Sequence, residues 1–252
     1  MGYRAKYFGK VPVMQGTESR VAIIDNALDH SVYTPVDHWN KHLPRDADAF
    51  RASRGELPDV DSGEYTHLIL TGSEASIMER EPWVLDEARM IEKAVASGFP
   101  VLGSCYGHQL LALSLAGPRC VRRCKDPEMG WLPIRITSAD PLLGEFGTFF
   151  AYTLHFDEVV DIGPDFRILA ETSQCCIHGF RFKDLPVWGI QAHPEIDIPD
   201  GRRLFDNLIA QGHPAADGFR AARASAARDS KKIQRILEVF LASAPTFPLG
   251  QG

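Results

Sequence analysis

Short runs of consecutive apolar residues, bounded by Gly, Pro or Asp, recur along the chain at residues 21–24, 68–70, 101–102 and 188–191. Their continuity fits strands covered on both faces of a parallel sheet, because a half-exposed strand alternates apolar and polar positions. Between them the period lengthens. After Pro82, the residues Val84, Ala88, Ile91 and Val95 fall on one face of a helix that Gly98 and Pro100 bring to an end. Strands alternating with such helices predict a three-layer α/β fold, a mostly parallel sheet flanked by helices. From residue 131 to 160 the texture changes to segments such as IRITS and GTFFAYT, which predict an excursion of antiparallel strands. Near the end, Ile233, Ile236, Leu237, Phe240 and Leu241 form one apolar stripe of a further helix.

No internal repeat or linker interrupts this pattern, so residues 20–243 are expected to form one domain that includes C-terminal helices within 214–242. Residues 1–19 are expected to be an N-terminal arm and residues 244–252, rich in Pro and Gly, a loose tail. The 252 residues, 44% hydrophobic and 24% charged, have the balance of a globular protein rather than a disordered one. A net charge of −6 argues against nucleic acid as a partner. No apolar run approaches the length of a membrane span or a signal-peptide core, and five cysteines in no scaffold spacing fit reduced thiols. A cytoplasmic protein without membrane partners is expected.

The strongest chemical signal is Pro-Val-Leu-Gly103-Ser-Cys105-Tyr106-Gly107-His-Gln109-Leu-Leu, an apolar strand, a tight turn and an apolar helix. Small residues two before and two after the cysteine are what a nucleophile elbow needs, since strand and helix backbones approach closely around its strained tip. A thiol there sits at a helix N-terminus, where the dipole favours thiolate, and the Tyr106 N–H can donate to a developing oxyanion. A buried structural cysteine in a Gly-rich turn would carry the same local pattern. The second signal is Gln191-Ala-His193-Pro-Glu195, directly after an apolar run. In an extended segment His193 and Glu195 point to one side, so the carboxylate can orient the imidazole as a general base for a cysteine.

Taken together, Cys105 in Gly-x-Cys-x-Gly-x-Gln and the later Gln-x-His-Pro-Glu resemble the class I glutamine amidotransferase group of γ-glutamyl amide hydrolases, over roughly residues 20 to 212. The resemblance implies Cys105 as nucleophile, His193 as base, Glu195 as its orienting partner, and Gln109 as a holder of the glutamyl head. It also implies that Gly72, in Leu-Thr-Gly72-Ser73, supplies a second oxyanion N–H beside Tyr106, with Ser73 next to the substrate. The segment His155-Phe156-Asp157 is similar to a family His-Gly-Asp or His-Gln-Asp segment, so His155 and Phe156 are candidate substrate contacts, with Phe156 departing from both forms.

No cofactor or metal is expected. The pairs Cys120/Cys124 and Cys175/Cys176 lack companion His at ligand spacing. His178, His30, His38 and His42 belong to no motif and are expected in solvated or capping roles, and Arg119, Arg122 and Arg123 on an exposed face. Neither a phosphate-cradling loop nor a Ser-Gly-Gly-x-Asp run of a fused synthetase occurs. The expected activity is hydrolysis of a γ-glutamyl amide through a Cys105 thioester by a free-standing enzyme. The alternatives are a glutaminase subunit that delivers ammonia to a separate synthetase, and a non-catalytic regulatory subunit.

Overall fold

The computed structural model describes residues 19–245. The arm expected over 1–19 and the tail over 244–252 lie outside the described residues except for Ser19, Ala244 and Pro245. Nine strands form one sheet in the order β2-β1-β3-β4-β9-β8-β7-β5-β6. Its parallel half comprises β1 (Val21–Asp25), β2 (Asp48–Arg51), β3 (His67–Leu70), β4 (Val101–Ser104) and β9 (Val187–Ile190). Four of these match the apolar runs of the sequence, and every residue of β1, β3, β4 and β9 is buried. The antiparallel half comprises β5 (Val121–Ile136), β6 (Gly147–Val159), β7 (Phe166–Glu171) and β8 (Gly179–Phe182). It extends beyond the 131–160 excursion expected from texture at both ends, because β7 and β8 carry the pairing back from β5 to the parallel strand β9.

Side-chain alternation along β1 splits the core into two layers. Ala22 and Ile24 pack with α2 (Val84–Ala96) and α3 (Tyr106–Ala116), whereas Val21 and Ile23 pack with α1 (Pro35–Asn40) and the C-terminal helix. The helices α4 (Ile198–Ala210), α5 (Ala216–Ala224) and α6 (Lys232–Ala242) follow β9. The stripe Ile233, Ile236, Leu237 and Phe240 of α6 is buried, each side chain contributing about 2 kcal/mol of transfer free energy. Helices α4 and α5 do something different. They cover Trp131 and Tyr152 of β5 and β6 and build a third apolar cluster beside the carboxyl ends of the parallel strands, where ligands of open α/β sheets bind.

Candidate active site

Cys105 sits between β4 and α3 with φ of 49° and ψ of −107°, a strained conformation for a residue with a side chain. Its N–H donates to the Ile190 carbonyl of β9 (2.9 Å), so the neighbouring strand pins the tip. The flanking glycines are there for space. A Cβ on Gly103 would lie 2.5 Å from the Gly107 carbonyl oxygen, and one on Gly107 would lie 2.2 Å from that of Leu70. Gly107 N–H is taken by the Thr71 carbonyl (3.0 Å). The N–H of Tyr106, first in the helix, has no intrahelical acceptor and stands next to the thiol.

The other two members of the predicted triad come from the loop after β9. His193 Nδ1 lies 2.9 Å from Glu195 Oε1, and the imidazole lines the same cavity as Cys105. Both side chains are buried. Ser104, the residue before the cysteine, donates its hydroxyl to Glu195 Oε1 (3.3 Å). The backbone of His193 is itself fixed, its N–H donating to the Tyr152 carbonyl (2.8 Å). Burial disfavours the imidazolium, but the charges of Cys105 and Glu195 outweigh it and raise the His193 pKa to about 10. The cation is therefore held through neutral pH and lost only as pH rises through that value. Because Cys105 is the largest raising influence, Cys105→Ala is expected to lower the pH at which His193 loses its proton, measured by NMR titration of the ring; an unchanged titration would deny the pairing.

Burial raises Cys120 to about 11 and Cys124 to about 12, and Cys175 is raised as well. These groups are held as neutral thiols.

Gly72 lies directly after β3 against the imidazole: a Cβ there would lie 2.6 Å from His193 Cε1 and 3.1 Å from the Tyr33 hydroxyl. Gly72→Ala is accordingly expected to push the imidazole off its position and to lower kcat by about a hundredfold with little change in thermal stability, read by steady-state kinetics and a melting curve.

A cavity of about 270 Å³ opens over Cys105, and Ser73, Tyr106, Gln109, His155, Phe156 and His193 all line it. Gln109 is anchored, its amide donating to the Asp157 carbonyl (2.8 Å) and to Gln191 Oε1 (3.2 Å). Ser73 Oγ accepts from the Ala75 N–H (2.9 Å), which shapes the loop. His155 lines the cavity and is held by the interior on both ring nitrogens. Its Nδ1 donates to the Asp157 carbonyl (2.9 Å) and its Nε2 lies 3.0 Å from Glu128 Oε2.

Several residues were invisible in the sequence. Tyr33 reaches the His193 ring edge-on, with centroids 6.1 Å apart. Asp157 accepts from the Ser76 hydroxyl (2.6 Å) and pairs with Arg123 (3.3 Å), which also meets Glu79. Arg119, Arg122 and Arg123 are exposed as expected, and two of them also serve the site: Arg123 lines the cavity and Arg122 pairs with the buried Glu158. The histidines expected in solvated roles include two that are buried: His38, beside Asp200 (3.1 Å), and His178.

Among the described residues Glu128, His155 and His178 offer ligand atoms within 4.8 Å of one another, a grouping distinct from the cysteine pairs weighed in the sequence. Thr172 also donates to Glu128 (2.6 Å), and these hydrogen bonds overcome burial to hold the carboxyl well below its usual range. The trio acts as a polar network bracing β5, β6 and the turn before β8.

An elbow cysteine near a His-Glu pair, at the carboxyl edge of a mostly parallel sheet, is an arrangement capable of cysteine-centred acyl transfer. The sequence profile of the family described as Glutamine amidotransferase class-I matches residues 40–210, and the chain belongs to this family. Its relatives include γ-glutamyl peptidase 4 of Arabidopsis thaliana, 29% identical over 210 residues, 79% of this chain and 82% of that one. They also include the glutamine-hydrolysing GMP synthase subunit of Thermoplasma acidophilum, 29% identical over 157 residues, 60% of this chain and 76% of that one. Among solved structures, a glutamine amidotransferase from Thermotoga maritima superposes with a TM-score of 0.70 at 20% identity, covering 90% of this chain and all of that one. One from Methylobacillus flagellatus superposes at 0.64 and 21% identity, covering 90% and 92%. These likenesses establish the fold. Among the described residues no helix is long and apolar enough to cross a membrane.

Proposed function

We propose that the chain is a free-standing hydrolase of γ-glutamyl amides. The Cys105 sulfur attacks the side-chain carbonyl carbon, forming the C–S bond, and the carbonyl oxygen takes the negative charge against the N–H groups of Tyr106 and Gly72. Collapse of this intermediate breaks the C–N bond as the His193 imidazolium gives its proton to the departing amine. His193, now neutral, takes a proton from water, which attacks the thioester and releases glutamate and the thiol. Glu195 keeps the ring oriented and supports its cation. Among the described residues Arg123 is the one Lys or Arg side chain on the cavity wall, and it receives the substrate α-carboxylate.

The observation that carries the free-standing reading is the far wall of the cavity. Gln211, His213 and Phe219 line it, and all three lie beyond the 40–210 span matched by the family profile. The match to a γ-glutamyl peptidase covers 79% of the chain against 60% for the GMP synthase subunit, which supports the same reading. A protein that feeds ammonia to a synthetase needs no wall for a substituent on the amide nitrogen. Contacts to a substituent can instead stabilise the transition state in ways that ammonia cannot.

The purified chain alone is expected to show a higher kcat/KM for some substituted γ-glutamyl amide than for glutamine, measured as glutamate release in competition. Glutamine winning throughout, with turnover raised by an added synthetase, would establish the ammonia-delivering alternative instead.

A further inference from the structure

The reaction has a direction across the cavity, because the group that protonates the leaving amine fixes the side on which that amine departs. His193 stands on one side of Cys105, with Tyr33 and Tyr152 edge-on to its ring at centroid distances of 6.1 and 5.9 Å. Tyr152 in turn packs on Phe205 (5.1 Å), which stacks on Phe219 (5.9 Å). The proton donor is therefore embedded in the apolar cluster formed by α4, α5 and the inner face of β6. Glutamyl recognition lies elsewhere: Gln109, Asp157, Ser76 and Arg123 are joined to one another by hydrogen bonds and an ion pair.

The wall on the departing side is mostly apolar, with Gln211 and His213 as its polar members. Val32, Leu154, Phe156, Leu204, Leu208 and Phe219 line it, with Phe156 and Phe219 closing on the His213 ring at 5.6 and 4.9 Å. The charges near this end are negative. Asp29 and Glu74 line the mouth, where the Glu74 carboxylate accepts from the N–H groups of Leu28 and Asp29 (3.0 and 2.9 Å) and fastens two loops together. The wall's single Arg is engaged with Asp157 on the glutamyl side. A leaving amino acid or peptide would bring a carboxylate to a mostly apolar surface that, among the described residues, offers it no Lys or Arg side chain and sets two like charges at its mouth.

Resting on the hydrolase reading above, we infer that the natural leaving group is an amine with an aromatic or branched apolar substituent and no carboxylate. The substrate class is accordingly γ-glutamyl arylalkyl- or alkylamides rather than γ-glutamyl peptides.

The test compares three substrates on the purified full chain: γ-glutamyl phenethylamide, γ-glutamylphenylalanine, which differs from it by one carboxylate, and glutamine. Glutamate release is the readout. The phenethylamide is expected to exceed both others in kcat/KM by about tenfold or more, the size expected for burying part of a ring. Leu208→Lys, which places a cation in the apolar wall, is expected to shift the preference toward γ-glutamylphenylalanine. A wild-type preference for γ-glutamylphenylalanine over the phenethylamide would overturn the apolar-amine inference and leave the hydrolase reading standing. Glutamine winning over both conjugates, or no glutamate from any of the three, would overturn the hydrolase reading and the inference with it.

Discussion

Cys105→Ser is expected to lower glutamate release from γ-glutamyl amides by about four orders of magnitude or more while the fold survives. The thiol stands on a backbone strained to φ of 49°, at the mouth of α3 and within reach of an imidazole that carries a positive charge at neutral pH. A hydroxyl in its place ionises far less readily and is a poorer nucleophile beside a base adapted to sulfur. The fold should tolerate the change because the sulfur makes only a weak S–H···O hydrogen bond, to the Leu154 carbonyl (3.5 Å), which a hydroxyl can replace. The tight packing of the elbow involves Gly103 and Gly107 rather than the thiol. Activity and a thermal melt of the same preparation check this. Near-native turnover in a folded variant would remove Cys105 from the chemistry.

His193→Ala and Glu195→Gln should separate sharply. The alanine variant loses the proton donor, and turnover is expected to fall about as far as in Cys105→Ser, since the two act as a unit. It also leaves the fully buried Glu195 with only the Ser104 hydroxyl on Oε1, a change expected to cost about 3–5 kcal/mol of stability. The glutamine variant keeps a carbonyl acceptor in the same place and removes the charge. It is expected to lose about ten- to a hundredfold in kcat, as positioning partners of reactive groups do, and to lower the pH at which His193 deprotonates. Equal and small effects of both substitutions would mean that neither residue takes part.

The central strands were legible because burial on both faces leaves continuous apolar runs, and β1, β3, β4 and β9 fall on those runs. The edge strand β2 was not. Its residues Asp48–Arg51 are partly exposed and pair on one side only, so no apolar run marks them. Strands β7 and β8 were missed for a related reason, since Arg167 and Arg181 interrupt their apolar residues and are satisfied by tertiary partners such as Asp140. At the site, Cys105, His193 and Glu195 could be read because the elbow and the His-x-Glu spacing are local geometries. Tyr33, Arg123 and Ser104 act through contacts that join distant segments, which no spacing encodes. His155 lines the cavity as its place in the segment implied, and its pairing with Glu128 across β5 and β6 is the part no spacing encodes.

The most direct measurement is covalent capture with a diazoketone analogue of glutamine, followed by peptide mapping of the labelled thiol. The account predicts one equivalent of label on the buried Cys105 and none on the exposed Cys176, with protection by a γ-glutamyl amide. A reagent responding to simple accessibility would choose Cys176. Label on Cys176, or a folded protein that takes up none, would contradict the assignment of Cys105 as the nucleophile of a γ-glutamyl pocket.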